Sequence, residues 1–354
     1  MTPGPQRTSR RRAVVLGGTG LLGRATAARL ASAGWAVDVT GRDRHHLPAD
    51  LGRAGVRFVA ADRYDPVALA AVIGDGADLV VDTLSYTAGH ARSLLPLRDD
   101  IGRVVMLSSK AVYVDAEGRH VNSAHRPEFT GPIAEDHPTL APGSMPFASA
   151  AGYGPNKVAA ELTLLESGAN ATVIRASKVH GVGAAPAREW AFVRRVLDRR
   201  GGLVLAGRGW GTDHTTAAVN TGALFEIDAE APEGARVLNS ADPDAPSGLD
   251  IARVVAAQLG HDWHEVLLDD DAPEGLGAHP WDSRPAIVLD TTASRDLGYV
   301  PVGTYAQTVT DELDWLAGLP RESFAGSPHF GDFAADYAAE DAYLRRFPGL
   351  LPHR

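Results

Sequence analysis

Tyr153 and Lys157 stand four residues apart in the pentad Tyr153-Gly154-Pro155-Asn156-Lys157. On a helix, residues at that spacing share a face, so a phenol and an ammonium can lie side by side. Pro155 fits the first turn of such a helix, and 157–165 continues it with good helix formers. A free tyrosine has a pKa of about 10, and acting near neutrality requires a shift of roughly three units, or about 4 kcal/mol. One cation at about 4 Å, in an effective dielectric of about 20, supplies about 4 kcal/mol. The pair can therefore carry a proton to or from an oxygen on a reacting carbon.

A second motif supplies a partner for that chemistry. Residues 14–23 read VVLGGTGLLG. The apolar run 13–16, β-branched at Val14 and Val15, predicts a buried parallel strand. Gly17, Gly20 and Gly23 follow at three-residue spacing, and 21–33 is helix-forming up to Gly34. Glycine allows a sharp turn and a close approach of backbone N–H groups to a pyrophosphate. The helix start, at Leu21 and Leu22, adds a partial positive charge. The expectation is a bound dinucleotide.

The next strand, 36–40, bears on which dinucleotide. An acid at its end would hydrogen-bond a ribose 2′-hydroxyl. Gly41 and Arg42 stand there instead, and Asp38 lies too early, inside the strand. Arginine without the acid suits a 2′-phosphate, so NADP is expected, with NAD as the alternative.

The glycine spacing resembles the short-chain dehydrogenase/reductase superfamily, particularly its extended branch of sugar epimerases, dehydratases and reductases. Over residues 13–318 further segments are similar to that branch. Ser108-Ser109-Lys110-Ala111-Val112-Tyr113 occupies the place of its S-[ST]-x-x-V-Y, which makes Ser109 the catalytic hydroxyl beside Tyr153 and Lys157. Glu135-Asp136-His137-Pro138 looks like E-D-x-P, and 175–181 takes the place of R-x-x-N-V-Y-G. Asp213-His214 falls near R-D-x-x-H, and 295–299 resembles R-E-L-G-W. The resemblance implies adenine contact at Asp62, with Arg63 beside it, and adds Thr83 to the cofactor set. In it Ser109 polarises the oxygen, Tyr153 transfers the proton, and Lys157 holds the ribose and tunes Tyr153.

The departures concern the substrate. A dehydratase of the branch carries Asp-Glu after the catalytic hydroxyl; here Lys110-Ala111 stands there, so elimination of water lacks its acid and base. Lys178 replaces the Asn of N-V-Y-G, His180 replaces its Tyr, and Trp210 stands near the expected Arg. His279-Pro280-Trp281-Asp282 stands near the late R-x-G-D. A diphosphate clamp is thus in doubt, although Lys178, Arg208, His279 and Arg284 offer charge and Trp210 or Trp281 a ring for stacking. Ser85, Lys110, Lys178, His180, Trp210, His279 and Trp281 form the expected substrate set.

Alternating strands and helices predict an α/β fold, a Rossmann-like doubly wound parallel sheet with a smaller, partly discontinuous C-terminal substrate lobe. The expected division is a disordered basic tail at 1–12, a dinucleotide-binding domain at 13–180 with chain returning near 203–240, a substrate lobe over 181–318 and a helical extension at 319–354. The polar segment 114–152 is a candidate lid. An amphipathic helix over 334–347 would pack on the lobe or on a second subunit of a homodimer.

Composition bounds the partners. The 354 residues carry a formal charge of −10, which disfavours nucleic acid. There are no cysteines, hence no thiolate chemistry, and no apolar run reaches membrane-spanning length. Arg10-Arg11-Arg12 superficially resembles a twin-arginine signal, but the run behind it holds the glycine turn and Arg24, so the expectation is cytoplasmic. No metal is called for. The expected function is NAD(P)-dependent oxidation and reduction at a secondary carbinol of a sugar-like molecule, a nucleotide sugar or nucleoside-like, with net epimerisation first, NADPH-dependent ketone reduction second, and a non-catalytic cofactor-sensing regulator as the rival outside enzymes.

Overall fold

The computed structural model describes residues 10–271, 273–320, 323 and 337–347. Its centre is a seven-stranded sheet in which every pairing is parallel. Strands β1 (Arg12–Leu16), β2 (Ala36–Gly41), β3 (Arg57–Ala60), β4 (Ala77–Asp82), β5 (Ile101–Ser109) and β6 (Ala171–Ala176) lie in the order β3-β2-β1-β4-β5-β6, with Ala235–Ser240 outside β6. This is the doubly wound arrangement expected from the alternating pattern. The order reverses between β1 and β4, and in such sheets a crevice opens there, at the carboxyl ends of the strands.

The strands are apolar on both faces because helices cover both. Val15, Leu79, Val105 and Ile174 face one layer, which includes Leu30 and Phe225. Val14, Val80, Val104 and Met106 face the other, which includes Leu69, Ala160 and Leu164. Successive strand residues point to opposite faces, so adjacent valines such as Val14 and Val15 serve separate cores.

β5 begins at Ile101, earlier than the apolar run at 104 suggests. Arg103 is tolerated inside it because its guanidinium donates to Thr172, Ala231 and Pro232 and faces Asp228. Of the chain expected to return over 203–240, Ala235–Ser240 enters the large sheet beside β6. Gly202–Leu205 instead pairs with His264–Leu267 in the second lobe. That lobe has its own core, built around Phe192, Leu205, Ile251, Val255, Trp281 and Leu313.

The expected tail over 1–12 meets the described residues only at its end. Residues 1–9 lie outside the described residues, while Arg12 opens β1 and its guanidinium is bonded to Asp38 and to the carbonyls of Val72, Ile73 and Gly76. Asp38 also receives Arg57, which removes this buried acid from any ribose. Of the expected helix at 334–347, the described part is Tyr337–Arg346. It packs on its own lobe: Leu344 joins Val204, Val266 and Leu276, and Glu340 pairs with Arg195. Among the described residues no helix is long and apolar enough to cross a membrane.

The segment between β5 and the helix Ala150–Leu165 is tied down at its base. Phe129 and Ile133 are buried with Tyr113 and Leu289. The Asp115 carboxylate accepts from the backbone of Glu117, Arg119 and Glu128. What faces the crevice is limited to Val121, Asn122 and the stretch 147–150.

Candidate active site

A crevice of about 1260 Å³ runs from the glycine turn across the ends of β4 and β5 to the second lobe. Its first wall is the turn itself. Gly17 has φ +80°, and a Cβ there would lie 2.5 Å from Thr83 Oγ1. A Cβ on Gly23 would lie 2.3 Å from the Gly17 carbonyl oxygen. These contacts hold the backbone tight where the helix Leu21–Ser32 starts, with Gly20 as its N-cap. Gly17, Gly20, Leu21, Leu22 and Gly23 all line the crevice; the N–H groups of Leu21, Leu22 and Gly23 in the first turn of the helix suit a pyrophosphate, while those of Gly17 and Gly20 donate to Thr40 Oγ1 and the Gly17 carbonyl. Gly18, absent from the expected set, is also required: a Cβ there would sit 2.3 Å from Val39 Cβ.

Arg42 and Asp62 stand exposed on the same wall, and Thr83 is part of it, its hydroxyl donating to the Leu16 carbonyl at 2.8 Å. Arg63 departs from expectation. Its guanidinium is buried and bonds the Asp82 carboxylate at 2.9 and 2.6 Å, the His90 carbonyl and the Ser93 hydroxyl. Arg63 lines the crevice, but its guanidinium donors are committed to the fold, where they brace the end of β4.

The three residues expected to be catalytic, Ser109, Tyr153 and Lys157, come together where β5 meets the helix Ala150–Leu165. Ser149 caps this helix by accepting from Gly152 N–H at 3.0 Å. Pro155 therefore lies in the helix interior and not in its first turn, since the cap falls six residues earlier. Gly154 brings the helix close to the strand end: a Cβ there would lie 2.9 Å from the Ala111 carbonyl oxygen. Ser109 and Tyr153 both line the crevice. Burial pushes the Tyr153 phenol above its ordinary pKa, while a hydrogen bond with Ser109 opposes that rise.

Lys157 is fully buried, and its ammonium donates to the Ser85 carbonyl at 2.7 Å and the Leu107 carbonyl at 2.9 Å. It sits 4.5 Å from the Tyr86 ring and 6.0 Å from the Tyr153 ring. Burial lowers its pKa to about 8, against the opposing pull of Asp82 and Glu161. The expected cation beside the phenol is therefore present but set back on two carbonyls, and the phenol is not lowered in this state.

The substrate set divides. Lys110 and Lys178 line the crevice, and both pair with Asp213, Lys178 at 3.2 Å. Ser85 is buried behind the wall, where its carbonyl anchors Lys157. His180 is buried with Nε2 against Asp242 at 2.9 Å and its ring beside Tyr305. Trp281 is 1% exposed and stacks on Phe192, and His279 is buried near the same ring. Trp210 is 65% exposed, outside the crevice, beneath Arg208. Ser85, His180, Trp210, His279 and Trp281 thus serve packing or the outer surface. Arg208 pairs with Asp269, and Arg284 with Asp270 and Asp282, so these cations face acids at the surface.

The lining also holds residues that the expected set lacks, among them Tyr86, Phe147 and Arg188. Tyr86 and Phe147 stack at 5.2 Å across the crevice wall, and Arg188 enters from the second lobe. Tyr86 lies three residues beyond Thr83 at a strand end, which is a usable signal; Arg188 has none. Other resembling segments are structural. Glu161 and Arg175 form a buried pair at 2.7 Å, and Glu135 accepts from Asn239 N–H at 2.8 Å, joining the loop to the sheet.

Comparison with solved structures returns the same fold at low identity. UDP-glucose-4-epimerase from Stenotrophomonas maltophila, with bound NAD and formylated UDP-arabinopyranose, is 16% identical with a TM-score of 0.66 over 86% of this chain and 98% of that one. UDP-N-acetylglucosamine 4-epimerase from Bacillus cereus is 16% identical with a TM-score of 0.65 over 87% and 99%. dTDP-glucose 4,6-dehydratase from Bacillus anthracis, in complex with NAD, is 15% identical with a TM-score of 0.64 over 86% and 96%. No curated protein matches. The sequence profile of the NAD-dependent epimerase/dehydratase family matches residues 13–212, more than half of the chain, from the glycine turn through Ser109, Tyr153 and Lys157. With its glycine turn, Ser109 and Tyr153 lining one crevice and Lys157 buried beside Tyr153, the chain belongs to the NAD-dependent epimerase/dehydratase family of enzymes.

Proposed function

We propose that the protein epimerises a secondary carbinol of a sugar-like substrate through a transient ketone, using NADP. The observation that carries this reading is the convergence of Ser109 and Tyr153 on the crevice that the glycine turn also lines. The solved structures of like fold include two nucleotide-sugar 4-epimerases. A bound nicotinamide would accept hydride from the carbinol carbon and return it to the opposite face of the ketone. Tyr153 takes the hydroxyl proton as the C–H bond breaks and gives it back on return. Ser109, already hydrogen-bonded to Tyr153, holds the substrate oxygen. Lys157 places a positive charge behind both groups and favours the phenolate.

Because Lys157 titrates at about 8 in the free protein, it is charged below that value and neutral above it. Its help to Tyr153 is then lost as pH rises through about 8. We expect kcat/KM to fall on the alkaline side with that pKa. Lys157→Arg, which stays charged, should move the fall upward; a pH profile unaltered by the substitution would remove Lys157 from the account.

NADP is proposed over NAD because Arg42 follows the end of β2 where an acid would otherwise stand; Asp38, inside the strand, is held by two arginines, and Asp43 is engaged by His45. Arg42→Ala should weaken NADPH by roughly 1.5–3 kcal/mol, the range for hydrogen bonds to charged groups, with little change for NADH. Fluorescence titrations showing equal loss for both would reject this assignment. Arg42 also supports a second reading, net NADPH-dependent reduction of a ketone, in which one NADPH is consumed per product. Elimination of water is disfavoured, since Lys110-Ala111 follows Ser109 where an acid-base pair would be needed.

A further inference from the structure

We propose that Lys110, Lys178 and Arg188 form a subsite for a negatively charged group, a carboxylate or a phosphate, carried by the substrate next to its reacting carbon. The proposal rests on the redox reading of Ser109 and Tyr153 and specifies the class of molecule that reaches them.

All three cations line the same crevice as Ser109 and Tyr153. Lys110 is the residue after Ser109 at the end of β5, and Lys178 follows Ser177 just past the end of β6. Arg188 approaches from the second lobe and donates to the Val179 carbonyl at 3.3 Å. Among the described residues, Asp213 is the one carboxylate within ion-pairing distance of the set, and it is shared by both lysines. Glu189 and Glu312 lie farther back behind Arg188, and burial next to Glu189 holds Glu312 toward its neutral form. When protonated, these three bases thus outnumber the one carboxylate paired with them, in a place largely removed from water.

Burying uncompensated cations is costly, and a fold keeps them where a ligand completes the pairing. The strain shows in their ionisation. Burial lowers Lys110 well below its ordinary range, with Lys178 and Arg188 adding repulsion. Burial and then Arg188 bring Lys178 down to about 7; Arg126 of the long loop lowers it further and Glu189 opposes. An anion would restore the charged forms. Arg208 and Arg284 of the second lobe already face acids and do not line the crevice, unlike Lys110, Lys178 and Arg188. Its position beside Ser109 distinguishes a small acidic or phosphorylated sugar from a neutral one.

The test is calorimetric titration of the full chain loaded with NADP, using inorganic phosphate, malonate and neutral erythritol as probes. We expect saturable binding of an anion, none of erythritol, and weakening by about tenfold or more in Lys178→Met and in Arg188→Met. Lys178→Arg should keep binding, which separates loss of charge from loss of folding. Tighter phosphate than malonate assigns a phosphoryl group, and the reverse assigns a carboxylate. Affinity should fall as pH rises through about 7, where free Lys178 loses its proton. The proposal is overturned if neither anion saturates the wild type, if both Met variants bind as well, or if they lose NADP affinity, which would assign the cations to the cofactor's own phosphates. Tyr153→Phe should leave anion binding intact, so a failure of the redox reading appears in turnover and a failure of the subsite appears here.

Discussion

Tyr153→Phe is expected to reduce turnover by roughly 10²–10⁴-fold, the usual contribution of a positioned acid-base group. The substitution removes only the phenolic oxygen. The ring stays in place against the helix and the crevice wall, and the glycine turn that would hold the cofactor lies on other elements. NADPH affinity should thus be unchanged. Ser109→Ala removes a partner of the same oxygen and should cost rate more modestly, again with cofactor affinity retained. Steady-state kinetics paired with a fluorescence titration of NADPH check both. Wild-type turnover in Tyr153→Phe would remove proton transfer from this residue and with it the proposed mechanism.

The second large effect is on stability. Arg63→Met leaves Asp82 buried without its partner, together with the Ser93 hydroxyl and His90 carbonyl that the guanidinium also bonds. Breaking a buried pair by removing one member costs about 3–5 kcal/mol. Asp82 is fully buried, so water does not readily take over. Urea unfolding should report this loss, while the folded variant should bind NADPH nearly as the wild type does. Unchanged stability with lost NADPH affinity would return Arg63 to the cofactor site.

Much of the fold was legible because its signals are local. Val14 and Val15 followed by closely spaced glycines describe a buried strand and a tight turn, and both are found. Tyr153 and Lys157 do share a helix with Ser109 nearby. What could not be read depends on partners distant in sequence. Arg63 looks like a free cation beside Asp62 until Asp82, from another strand, claims it. His180, His279 and Trp281 carry types suited to ligands, yet tertiary packing turns them into the core of the second lobe. Lys157 obeys the helix spacing, but the carbonyls of Ser85 and Leu107 draw its ammonium back from the phenol. Arg188 enters the crevice only because the second lobe folds over it, and no periodicity marks that.

The central claim is that hydride leaves and returns at one carbon while Tyr153 carries the proton. The most direct measurement supplies the full chain with catalytic NADP and glucuronate, UDP-glucuronate or UDP-glucose in deuterated water, and follows product by proton NMR beside the near-ultraviolet absorbance of reduced nicotinamide. The account predicts an inverted carbinol with no solvent deuterium at the reacting carbon, no net change in reduced cofactor, and no product from Tyr153→Phe. Failure of all three compounds to react, solvent deuterium at that carbon, or one NADPH consumed for each product formed would contradict it.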